Sequence, residues 1–155
     1  MAKNLIRVLK CLMLFSCALL ITLVFADNMT TYDINFDYIQ HIMSIDDTHK
    51  HKNMLWRAVT NPLWHHICYI FIIVLEGIAS ALLWFGSYDL FRHNSKSWAQ
   101  VALLFTLILY ILFFFVIGSQ WFASWQSTLW NAKTAAFPFI MLFAVTYLII
   151  NSHED

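Results

Sequence analysis

The feature that most constrains this chain is the run 63–85, 23 residues in which one acid, Glu76, interrupts an otherwise apolar sequence. A helix of that length crosses a hydrocarbon core about 30 Å thick. On an insertion scale the carboxylate costs roughly 3 kcal/mol, while each Ile, Leu, Val or Phe favours insertion by about 0.3–0.6 kcal/mol. Between Ile67 and Phe85 there are 11 such residues, so insertion wins despite the acid. Asn61 is placed to cap the helix, and Pro62 occupies the first helical position, where a missing N–H is harmless. At 100° per residue His65, Tyr69, Glu76 and Ser80 fall within about 60° of one another. They form a polar seam on one face of the span, and polar groups at such depth turn inward or mark a functional site.

The rest of the composition fits a membrane chain. Of 155 residues 61% are hydrophobic and 12% charged, against about 25% charged in a soluble domain. Three Gly and two Pro favour long helices over turn-rich β structure. Net charge is zero and no basic cluster is present, which argues against a nucleic-acid partner. Cys11, Cys17 and Cys68 all lie in apolar stretches and read as small buried hydrophobes.

Taken in order, the N-terminus carries Lys3, Arg7 and Lys10 ahead of an apolar run, 11–26. That pattern suits either a secretory signal with a site after Ala26 or a retained helix over about 5–26; the retained helix is the preferred reading. Residues 27–60 are polar. Within them 35–45 places Phe36, Ile39, Ile42 and Met43 at helical spacing behind Asn35 as N-cap, which predicts a short amphipathic helix at the interface. The second span covers 63–85, a connection 87–97, and the third span 98–117. Residues 118–133 carry Trp121, Phe122, Trp125, Leu129 and Trp130 on one face of a helical projection. Such a cluster suits an aromatic anchor at the membrane–water boundary, packed against 35–45. The fourth span is 134–150, with Thr134 as cap and Pro138 in the first turn, where proline is tolerated.

The expected architecture is therefore all-α: a polytopic membrane protein forming a single domain, with four transmembrane helices and short amphipathic interfacial helices in the outer loops. Lys and Arg set orientation. Five lie at the N-terminus and in 87–97 and four in the other two loops, three of the five within the first ten residues. Both termini are expected in the cytoplasm, with 27–60 and 118–133 outside and 87–97 inside.

Certain residues carry a resemblance over nearly the whole chain. They are Asn28, Thr31-Tyr32, Asn35-Phe36, Ile39-Gln40-His41-Ile42, Ser44, Asp46, Trp56-Arg57-Ala58, His65-His66, Tyr69 and Glu76. The most specific stretch is Trp121-Phe122, Trp125-Gln126-Ser127, Trp130-Asn131 and Ala136-Phe137. In these the chain resembles an uncharacterised bacterial family of small integral membrane proteins, catalogued as domain of unknown function 2165. Relatives carry an acid before the Trp-Phe pair and an arginine after Ala-Phe. Gln120 and Pro138 stand there in this chain, so that ion pair is absent. The resemblance implies four membrane helices, a retained first helix and location in a bacterial inner membrane; it implies no activity.

Candidate functional residues fall in two groups. The polar seam, His65, Tyr69, Glu76 and Ser80, centres on Glu76. In low dielectric that acid is expected to be protonated or paired with a hydroxyl from the third or fourth span, from among Thr106, Tyr110, Thr146 and Tyr147. The outer-face group is His41, Asp46, Trp56, Arg57, Trp121, Trp125, Gln126, Trp130 and Asn131. His49 and His51 beside Asp46 and Asp47 supply too few fixed ligands for zinc. The third and fourth spans hold no histidine that could ligate haem. No phosphate loop, zincin motif or nucleophile elbow occurs. The expectation is a non-enzymatic protein without cofactor, an accessory or assembly component whose partners are the bilayer and other membrane subunits or further copies of itself. The alternatives are a small proton-coupled carrier working as an oligomer through Glu76, and a membrane enzyme with a His/Asp site at the outer face.

Overall fold

A computed structural model describes residues 2–47 and 52–152. Four helices are long and apolar enough to cross a membrane: α1 (Ala2–Thr30), α3 (Pro62–His93), α4 (Ser97–Trp121) and α5 (Ala132–Asn151). A shorter helix, α2 (Tyr32–Ser44), lies between the first two. Side-chain pairs fix the arrangement. Arg7 meets Phe91, Thr22 meets Ser80 and Asn28 meets Glu76, so α1 and α3 run antiparallel. Gly86 abuts Ala99, Gln100 bonds Asn151, and Cys17 touches Thr146. The four long helices thus close as an up-down-up-down ring. Its core holds Leu14, Cys17, Ala18, Ile21, Ala79, Leu83, Leu103 and Phe143, all fully buried. The first helix packs on α3 through Thr22 and on α5 through Cys17.

Every span runs past its expected end. Asn61 does cap α3, accepting from the Leu63 N–H at 2.9 Å, and Pro62 starts it. The helix then continues past Phe85, its expected end, through Gly86 as far as His93. Gly86 is where α4 comes closest. A Cβ there would stand 3.0 Å from both Ala99 Cα and Ala99 N. The expected connection 87–97 shrinks to residues 94–96, turned by Asn94 in a left-handed conformation at φ 56°. Asparagine tolerates that region better than most residues.

At the other end of the bundle α1 runs on to Thr30, breaks at Thr31, and α2 starts at Tyr32 rather than beyond Asn35. The elbow stays hydrogen-bonded, with Thr31 N donating to Asp27 O and Asn35 N to Thr31 O. Phe36, Ile39, Ile42 and Met43 are the buried face of α2, as their spacing predicts. They pack over the first half of α3 with Tyr69, Ile72 and Ile73.

Two features of the second hairpin depart from expectation. The final part of α4, Tyr110–Trp121, winds as a π-helix, a rare geometry frequently found at functional sites. The tryptophan-rich stretch after it is not one amphipathic face, because the helix stops at Trp121 and Ala123 adopts φ 56°. A single turn follows at Ser124–Gln126. Asn131, not Thr134, then caps α5, accepting from Thr134 N at 3.1 Å. With the helix beginning at Ala132, Pro138 falls in its second turn and leaves the Thr134 carbonyl without its usual intrahelical donor.

The tight α3–α4 crossing generates a test. Alanine is favoured over glycine in a helix by about 1 kcal/mol, but overpacking against backbone costs about 1–3 kcal/mol. Gly86→Ala is therefore expected to lower the unfolding temperature in mild detergent. Gly77→Ala, whose Cβ would meet only the edge of the Phe25 ring at 3.0 Å, should be tolerated better. A Gly86→Ala protein as stable as wild type would contradict the close approach.

Candidate functional site

The polar seam on α3 is buried as its periodicity predicts: His65 and Tyr69 are each 2% exposed, Glu76 1% and Ser80 7%. Its partners come from α1, not from α4 or α5. Asn28 Nδ2 donates to Glu76 Oε2 at 2.6 Å, and Tyr69 OH donates to Asn28 Oδ1 at 3.1 Å. A relay of donors thus runs from Tyr69 through Asn28 to the carboxylate. One turn of α3 further along, Ser80 Oγ lies 2.8 Å from Thr22 Oγ1, which also accepts from Trp84 Nε1 at 2.8 Å. His65 stands apart, its Nε2 donating to Val59 O at 2.6 Å. The seam is therefore three separate arrangements.

The expected hydroxyl partners of Glu76 are occupied elsewhere or unbonded. Thr106 donates to Ala102 O at 2.8 Å and Thr146 to Leu142 O at 2.7 Å, each within its own helix. Tyr147 offers no hydroxyl to the acid; its carbonyl accepts from Asn151. Tyr110 comes nearest to the expectation, since it shares a cavity with Glu76, but its hydroxyl has no hydrogen-bond partner.

That cavity, about 240 Å³, is the candidate site. Glu76, Asn28, Asn35, Tyr38, Tyr69 and Tyr110 supply its polar groups, and Phe114 and Phe139 are among its apolar walls. Tyr110 begins the π-helical stretch and stacks on Phe139 at 4.8 Å and Phe114 at 5.2 Å. The Tyr38 hydroxyl is likewise buried without a partner. Burial pushes the Tyr38 phenol up to about 12, so it remains a neutral donor at physiological pH. Glu76 Oε2 is taken by Asn28, while Oε1 has no donor among the described residues.

The depth of the site differs from expectation. Glu76 is midway along α3, yet it bonds Asn28, which follows the apolar run of α1 and adjoins exposed Asp27. The carboxylate is thus level with the polar end of α1. Asn28, Asn35 and Tyr38 are half-buried and Ala135 is exposed, so the cavity reaches the surface between the α1–α2 elbow and the start of α5.

The second group of candidates separates into two clusters at the α2 end. His41 Nδ1 is 2.7 Å from Asp46 Oδ2, and its ring stacks on Trp130 at 4.4 Å. Arg57 lies between two indoles, its Cζ 5.1 Å from the Trp56 ring and 5.2 Å from that of Trp121. Of the three tryptophans Trp130 meets α2, through His41 and Tyr38. Trp125 is 48% exposed and Trp121 packs on Trp56 instead. Gln126 Nε2 lies 3.9 Å from Met54 Sδ, and Asn131 donates to Trp125 O at 3.3 Å while capping α5. Ser127 organises the turn: its Oγ bonds the Asp47 carboxylate and accepts from Trp130 N at 2.8 Å. His49 and His51 lie outside the described residues.

A family model described as a predicted small integral membrane protein (DUF2165) matches residues 6–153. The chain belongs to that family. It is accordingly an integral, multi-pass membrane protein, and the match takes in α1 and the Glu76 cavity together. No curated protein and no solved structure matches the chain.

Sequence reasoning found Glu76 and Tyr69 and placed Tyr110 near the acid, but missed Asn28 as the link and the cavity hydroxyl of Tyr38. It also missed Thr22 as the partner of Ser80, and His66, which accepts or donates at 2.8 Å to Tyr32 OH and stacks on Phe36 at 4.0 Å. The Asn28–Glu76 pairing had no local signal, because spans 5–26 and 63–85 paired end to end would set Asn28 opposite the start of the second span.

Proposed function

We propose that this protein is a non-enzymatic accessory component of a membrane complex that works by binding, and that its ligand is a small organic cation held at Glu76. The observation that carries the reading is the Glu76 cavity: a buried carboxylate with a free oxygen, faced by two unbonded phenols and walled by aromatic rings. Aromatic faces and a carboxylate together favour an alkylammonium group, through cation–π attraction and charge. A metal cation such as Ca²⁺ would want six to eight oxygen ligands, more than this aromatic wall offers. The His41–Asp46 pair supports an enzyme less well, because one face of its imidazole is covered by Trp130.

The second reading, a small proton-coupled carrier acting as an oligomer, rests on the same acid and its position near the polar end of α1. Methylammonium and tetramethylammonium chloride titrated calorimetrically into the detergent-solubilised protein separate the readings. Saturable heat at pH 7 that sodium chloride does not reproduce, and that Glu76→Gln abolishes without unfolding the protein, is the expected result. No binding, or equal binding by Glu76→Gln, would reject the cation site. Uptake of labelled methylammonium into proteoliposomes, driven by a pH gradient and lost in Glu76→Gln, would favour the carrier.

The proposed location is a bacterial inner membrane with both termini cytoplasmic. Basic side chains at the terminal end support this orientation: Arg7 donates to Phe91 O at 2.9 Å, and Lys10 and Lys96 reach Ser152 O at 2.9 and 3.5 Å. A chain whose three native cysteines are replaced tests it. An impermeant thiol reagent added to whole cells should label Asn53→Cys and spare Asn94→Cys. The reverse pattern would invert the orientation.

A further inference from the structure

A second, larger space lies behind the Glu76 cavity and shares Ile39, Ile72 and Phe114 with it as walls. It is a groove of about 730 Å³ between α2, the first turns of α3 and the π-helical end of α4. That volume falls in the usual range for a ligand site, but the lining is almost wholly apolar. Trp64, Phe71 and Trp121 on its walls are 54%, 51% and 49% exposed. These residues belong to the candidate membrane spans, and their exposed sides open the groove at the flank of the bundle.

One charge stands at its rim. Arg57 is stacked against Trp121, itself a wall of the groove, and its Nη1 donates to Trp121 O at 3.4 Å. The Arg57 Nε is buried without a partner. Among the described residues no carboxylate pairs with this guanidinium, although His41 and His93 each find one. A cation held by two indoles, next to an apolar groove of about 730 Å³, matches one kind of molecule in both parts. Guanidinium binds phosphate through a fork of donors, and basic pockets between membrane helices recognise anionic head groups.

We propose that this groove is a binding site for an anionic phospholipid, its acyl chain lying between α2, α3 and the π-helix and its phosphate on Arg57. The site is separate from Glu76 and does not depend on how that cavity is used. A second copy of the chain or a helix of another subunit is the competing occupant, and oligomeric state distinguishes it from lipid.

Native mass spectrometry of protein extracted from nanodiscs containing phosphatidylglycerol and phosphatidylcholine tests the proposal. One retained phosphatidylglycerol per chain is expected, in preference to phosphatidylcholine. Arg57→Gln, at a partly exposed position, should cut that preference about fivefold. Cys68→Trp, which fills the groove from α3, should abolish retention while circular dichroism shows an unchanged helical fold. Retention of lipid unaltered by both variants, retention without head-group preference, or no retained lipid at all would overturn it. So would a dimer that Cys68→Trp dissociates, since the groove would then hold a second copy.

Discussion

The bond from Asn28 to Glu76 is the interaction on which the rest of this architecture depends. A carboxylate inside a helical bundle without a donor is destabilising by several kcal/mol, whereas a charged group given one good hydrogen bond recovers about 1.5–3 kcal/mol. Asn28 supplies that donor and accepts from Tyr69 with its other atom, so one amide side chain fastens the end of α1 to two levels of α3. Two residues beyond Asn28, at Thr30, α1 stops. Beyond Thr30 the chain bends, and α2 covers the half of α3 that α1 does not reach. The cavity is the space left where this elbow, α3, α4 and α5 meet.

Much of this was legible in one sequence, and the parts that were not share a physical character. The four spans follow from runs of apolar residues, and the buried face of α2 follows from the spacing of Phe36, Ile39, Ile42 and Met43. The inward seam of α3 follows from 100° per residue. These are local patterns. The end of α3 was set at Phe85, while Gly86 lies inside the helix at the close approach to Ala99, a tertiary feature. The partner of Glu76 was sought among hydroxyls of later helices. Those hydroxyls at Thr106 and Thr146 are satisfied by carbonyls one turn back in their own helices, a common use of threonine in membrane spans.

The π-helical stretch connects the two spaces that give the molecule its functional character. Tyr110 opens it and contributes an unbonded hydroxyl to the Glu76 cavity; Trp121 ends it beside Arg57 at the groove. Nothing in the run Tyr-Ile-Leu-Phe-Phe-Phe announces the change of winding, which widens the helix and leaves room beside it. Both spaces are lined by residues of this stretch.

A double-mutant cycle between Asn28 and Glu76 tests the central interaction most directly. Reversible unfolding would be followed in bicelles for Asn28→Ala, Glu76→Ala and the double variant. The α1–α3 clasp predicts a coupling energy of about 0.5–3 kcal/mol, with the double variant less destabilised than the sum of the two single changes. Additivity within about 0.5 kcal/mol would contradict the clasp and, with it, the placement of the cavity at the end of α1.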